Sequence, residues 1–86
     1  MEGKLIGVIT HFYNNICVAV FELKGDLKVG DEIHILGHST DFHQVVKSLQ
    51  IEHKQIEGAG RGEEVALKVD MRVHRGDKVY KLTSGE

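Results

Sequence analysis

If this chain performs chemistry, it must be carried by its histidines, its single cysteine and its adjacent acidic residues. Six histidines fall within 86 residues. His38 and His43 stand either side of Ser39-Thr40-Asp41, and His34 and His53 can lie on adjoining strands. A structural zinc site needs four tetrahedral ligands, usually cysteines or closely spaced pairs. One cysteine and scattered histidines do not supply them, so no metal and no cofactor is expected. His34 alternates with Ile33 and Ile35 and should face solvent. Hydrolytic chemistry would need paired carboxylates or a nucleophile beside a base. Asp31-Glu32 and Glu63-Glu64 read as solvated turn acids, and Cys17 sits in an apolar run with no histidine at dyad spacing. The expectation is a binding protein without a catalytic residue.

Two surfaces can bind. One is the apolar run Ile16-Cys17-Val18-Ala19-Val20-Phe21. Alternate residues of a strand face opposite sides, so only one set can fill a core. The other set, taken as an interface through Ile16, Val18, Val20 and Phe21, needs cover from the chain itself, a second copy or a partner. The second surface is basic: Lys68, Arg72, Arg75, Lys78 and Lys81, relieved by Asp70 and Asp77, with Lys47 and Lys54 nearby. Such a cluster can follow a phosphate backbone, with Phe12, Tyr13 and Tyr80 as stacking faces. The net charge of −2 argues against general polyanion binding.

Positioning these residues falls to short strands. Proline is absent and ten glycines punctuate the chain. Gly25-Asp26, Gly30-Asp31, Gly62-Glu63 and Gly76-Asp77 mark turns, because glycine takes the positive φ that tight turns demand. Ile33, Val65 and Val79 follow three of these pairs, and Ile35, Leu67 and Val69 continue a period-2 alternation. The strands read as Lys4–Thr10, Ile16–Glu22, Glu32–Gly37, Phe42–His53, Glu64–Val69 and Lys78–Lys81, with a loop over Gln55–Gly62. One stretch is ambiguous. Phe42, Val45, Val46, Leu49 and Ile56 fall near helical spacing, and Asp41 with Gln44 resembles a capping box. An apolar content of 41% suffices for one core, so residues 1–86 read as a single domain. The N-terminal Met1-Glu2-Gly3-Lys4 lacks a signal-peptide stretch, no apolar run approaches membrane-spanning length, and no internal disulfide can form. The expected location is the cytoplasm, with no membrane partner.

Gly25 through Ile33 match a "G-x-L-K-x-G-D-x-I" turn, and Val46-Lys47-Ser48-Leu49-Gln50-Ile51-Glu52-His53 with Ala59, Gly62, Val65 and Leu67 resemble "V-x-S-I-E-x-H … A-x-x-G-D-x-V-G-L". In these blocks the chain resembles the barrel domain (domain II) of elongation factor Tu-type translational GTPases, and is closest to stand-alone elongation factor-like proteins. The resemblance implies an all-β fold, a small closed antiparallel six-stranded β-barrel, with strand rather than helix over Phe42–His53. It implies a role in translation, contacting RNA, transfer RNA included, or a translation-related protein. No phosphate-loop motif is present, so GTP hydrolysis is not implied. The family's acidic residue of the "S-I-E" strand falls on Gln50, and its glycine and arginine near the second strand's end fall on Val20 and Phe21. Similar barrels are also appended to U32 peptidase-related proteins, which gives the alternative: a protein-interaction or auxiliary domain without nucleic acid. The RNA or partner site expected is Lys47, Gln50, Glu52, His53, Arg72 and Arg75.

Overall fold

A computed structural model describes residues 3–82 of the chain. Ten strands follow in order: β1 (Gly3–Tyr13), β2 (Val18–Glu22), β3 (Leu27–Lys28), β4 (Glu32–Leu36), β5 (Asp41–Val45), β6 (Leu49–Ile51), β7 (Lys54–Ile56), β8 (Gly58–Ala59), β9 (Glu64–Lys68) and β10 (Lys78–Leu82). Eight form one ladder in the order β5-β4-β10-β1-β2-β9-β6-β7, and β3 pairs with β8 apart from it. Every pairing is antiparallel. Among the described residues there is no helix, and none long and apolar enough to cross a membrane.

Three of the four glycine–acid pairs are the same device. Lys28 to Asp31, Gly60 to Glu63 and His74 to Asp77 each close with a hydrogen bond from the fourth N–H to the first C=O. Gly30, Gly62 and Gly76 occupy the third position at φ 100°, 93° and 95°, the geometry of a type II turn. Asp31 and Asp77 also accept a bond from the first residue's N–H, at 3.0 and 2.8 Å. The apolar residue two beyond each acid then enters the core: Ile33, Val65 and Val79 are at most 1% exposed. They pack with Ile6, Ile9, Phe21, Leu23, Leu67 and Val73. β1 is long enough to serve both halves of the ladder. It pairs with β10 up to Val8 and with β2 from Ile9, bending at two register shifts. Gly7 lies against the Phe21 ring, where any side chain would collide.

The expected closed six-stranded barrel is not found: the ladder is open, with β5 and β7 as its ends. The strand expected over Phe42–His53 is the reason. It breaks at Val46-Lys47-Ser48, where Val46 turns inward to 1% exposure. Its N–H bonds to Asp31 and its C=O to Gly30, so β5 docks on the β3–β4 turn rather than running on into β6. The break also explains the helix-like spacing. Val46 and Leu49 face in, Val45 faces out at 47% exposed, and the 42/45/46/49 series belongs to two strands and a kink. Gln55–Gly62, expected as a loop, contains most of β7 and all of β8.

Between β5 and β9, a side chain replaces backbone pairing. Gln44, 6% exposed, accepts the Asp70 N–H at 2.7 Å and donates to the Lys68 C=O at 3.1 Å. Truncating it leaves both backbone groups, at a part-buried junction, without their side-chain partner. Gln44→Ala is expected to destabilise the chain by about 2 kcal/mol, read as a fall in the urea midpoint with unchanged slope.

Asp31 ties β4 to β10. Burial pushes its carboxyl pKa up, but bonds from the Lys28 side chain and backbone, joined by Lys81, hold it below the usual carboxylate value. The folded pKa is therefore lower than the unfolded one. Its stabilisation is complete above about pH 5 and is lost as pH falls below about 4 towards the folded value. Asp31→Asn is expected to flatten the acid limb of the stability–pH curve while leaving its shape near pH 7 unchanged, measured by urea unfolding from pH 7 to pH 2.

A candidate interaction groove

β2 divides the apolar run into two faces. Ala19 and Phe21 are fully buried and fill the core, so Phe21 is not available to a partner. Val18 and Val20 point to the outer face and are half-buried, and Ile16 in the β1–β2 turn is 56% exposed. Register then decides what joins them. Val20 lies opposite His11 on β1 and Ala66 on β9, and Ala66 lies opposite Gln50 on β6. One row, His11-Val20-Ala66-Gln50, crosses four strands on the outside of the sheet.

Around that row lies a groove of about 320 Å³. Its floor is Val18, Val20 and Ala66, its apolar end Tyr13 and Ile16, and its polar end Gln50, Glu52, His53 and Glu64. The structure thus unites two sets of residues that the sequence kept apart: Ile16, Val18 and Val20 of the apolar run, and Gln50, Glu52 and His53 of the second block. Tyr13 was read as a stacking face of the basic surface and Glu64 as a solvated turn acid, and Ala66 was missed. Ala66 was legible, since it alternates with core residues Val65 and Leu67 and must face out.

The rim is held in unusual backbone. Glu52 and His53 form the two-residue tip between β6 and β7, at φ 52° and 69°. Cys17, beside Ile16, has φ 55°. Among the described residues these are the only non-glycines with positive φ; Glu52 and His53 line the groove, and Cys17 adjoins its lining residue Ile16. Each costs on the order of 1 kcal/mol, and a tip of this type ordinarily takes Asn-Gly. The Cys17 thiol packs against the core and lies 3.8 Å from the Asn14 carbonyl.

The basic residues do not converge on this groove. Lys47 bonds Asp70 at 2.9 Å, and Lys81 reaches Asp31 at 3.3 Å, so both are neutralised by the chain's own acids. Arg72 and Arg75 border a separate shallow hollow with Thr10, His11, Phe12 and Asn14. His34 lies on the outer face, as its alternation requires. It is more covered than expected, because the His43 ring meets it edge-on with centroids 4.3 Å apart and the Asp41 carboxylate accepts its Nε2–H at 2.6 Å. Among the described residues no three metal-binding side chains gather.

With this geometry in place, comparison with known proteins narrows the identity. No protein-family model matches the chain. It is 47% identical over 78 residues to an uncharacterized protease of Methanocaldococcus jannaschii, covering 90% of this chain and 19% of that protein. It is 31% identical over 87 residues to a collagenase of Porphyromonas gingivalis, covering 99% of this chain and 24% of the collagenase. The chain therefore spans about a fifth of the length of these curated relatives. Among solved structures it superposes on the C-terminal domain of a putative U32 peptidase of Geobacillus thermoleovorans, with TM-score 0.86 and 18% identity over 93% of each chain. A selenomethionine variant of that domain gives 0.85. The fold is that of a U32 peptidase C-terminal domain.

This corrects the kinship read from the sequence: the relatives are proteases and a peptidase domain, not elongation factors. The assignments to translation and RNA binding fall with it. The physical cause is visible in the matched residues. Gly30 and Gly62 supply positive φ, Asp31 clamps a turn, and Ile33, Val65 and Leu67 fill the core. Such residues specify how strands turn and pack, and carry nothing of what the outer face meets.

Replacing Glu52-His53 by Asn-Gly is expected to raise stability by about 1 kcal/mol, because the tip's backbone is then unstrained. A thermal-unfolding midpoint that rises by several degrees checks it.

Proposed function

We propose that this chain is an auxiliary, non-catalytic protein-binding domain of a U32 peptidase-like protein, and that the groove over Val18, Val20 and Ala66 is where it holds an extended polypeptide. One observation carries the reading. The outer face of β2 and its neighbours gathers Val18, Val20, Ala66, Tyr13 and Ile16 in one concave site, which other exposed apolar side chains, such as Leu5, Leu36, Val45 and Met71, do not line. The relatives support the setting: they are four to five times the length of this chain and are named as a protease and a collagenase. An appended domain of a protease has an obvious ligand class in unfolded protein, which offers apolar side chains on an extended backbone.

Titration of the labelled chain with gelatin or with reduced, carboxymethylated casein tests this. Amide shifts are expected at Tyr13–Val20, Gln50–His53 and Glu64–Ala66. Val20→Arg is expected to remove them while changing stability by under about 0.5 kcal/mol, since Val20 lies outside the core. Shifts elsewhere, or none, would reject the groove. Concentration-dependent shifts of the same residues without ligand would instead assign this face to a second copy of the chain.

A further inference from the structure

We infer that the groove selects segments in which an apolar side chain is followed or preceded, about three residues away, by lysine or arginine. This rests on the groove being a polypeptide site and adds what distinguishes one polypeptide from another. Glu22 and Glu64 lie directly opposite each other on β2 and β9, in the outward row next to Val20 and Ala66. Side chains so placed are about 5 Å apart at Cβ, and like charges there repel. Glu52 stands at the tip of the neighbouring hairpin and lines the same end of the groove. Among the described residues none of the three makes an ion pair. No lysine or arginine lines the groove itself; Lys68 sits opposite Val18 at the far end of the floor, and Lys24 and Arg61 border a separate hollow with Glu22. The groove is therefore polarised, apolar at Tyr13 and Ile16 and anionic at Glu52 and Glu64, with Glu22 facing Glu64 from outside the lining.

A guanidinium or ammonium at the anionic end would relieve a repulsion that the free domain tolerates. From the middle of the Val18–Val20 floor to Glu22 is three residues along a strand, about 10 Å at roughly 3.3 Å per residue. An extended ligand covers the same distance in three residues, which fixes the spacing of its apolar and basic side chains.

Three fluorescent peptides decide it, identical but for one position: leucine, two alanines, then arginine, glutamine or glutamate, each within a neutral extended flank. The arginine peptide is expected to bind about tenfold more tightly than the glutamine peptide at low salt. Because exposed charges are screened, that gap should close between 50 and 500 mM salt. The double variant Glu52→Gln, Glu64→Gln is expected to bind the arginine peptide no better than the glutamine peptide. Equal binding of the three peptides to the unmodified chain would overturn the charge selection and leave the groove reading standing. Absence of binding by all three, together with no effect of Val20→Arg, would overturn both.

Discussion

The amide of Gln44 does what a strand would otherwise do. β5 ends one side of the open ladder, and nothing in the backbone register joins it to β9 across the core. A single buried side chain offers the Asp70 N–H an acceptor and the Lys68 C=O a donor, the same pair of groups a neighbouring strand would present. An amide is the side chain suited to both roles at once. A carboxylate could only accept, and an apolar residue would leave two backbone groups without their side-chain partner. The contact ties the segment that follows β9 to β5, while β9 itself is held by its pairing with β2 and β6. The exposed bridge from Lys47 to Asp70 adds little energy by itself but lies on the same junction.

Around that junction the chain is organised by turns whose acid reaches back to their own first residue. Asp31 and Asp77 each fix a turn locally and then bind something distant: Asp31 takes Lys81 of β10, and the Asp77 carbonyl takes the Ile9 N–H of β1. Local closure thus sets the register of strands far apart in sequence. That coupling matters in a fold without helices, where each long-range pairing must otherwise meet its own loop-closure cost.

These devices also mark the limit of what the sequence reveals. The glycine–acid pairs and the alternation at Ile33, Ile35, Val65, Leu67 and Val79 were legible because turn geometry and pleat are local rules. The inward kink at Val46 was not, since it depends on Gly30 and Asp31 offering backbone partners across space. Nor was Gln44, whose spacing from Asp41 imitates a helix cap while its bonds run to β9. The site was legible in halves. Ile16, Val18 and Val20 were visible as a face needing cover, and Gln50, Glu52 and His53 as a candidate surface. Only the β2–β9–β6 register, set by non-local pairing, brings the halves onto one groove. Lys47, Arg72 and Arg75 looked equivalent in sequence and are scattered by the same register.

The groove is also where the chain departs from its own structural economy. Elsewhere positive φ is given to glycine, and buried Asp77 and Gln44 are fully bonded. At the groove, positive φ falls on Glu52 and His53, with Cys17 next to the lining residue Ile16; Tyr13 and Ile16 stay exposed, and Glu64 of the lining faces Glu22 across adjacent strands. Each departure has a cheap local remedy: Asn-Gly at the tip, a polar residue at Ile16, a lysine in place of Glu22 or Glu64. Three independent costs that meet at one groove are hard to explain by folding, which needs none of them. A ligand that covers Ile16, touches the Glu52-His53 tip and brings a positive charge would turn all three into contacts, and this coincidence is the physical argument for the proposal that the outer face of β2 holds a polypeptide.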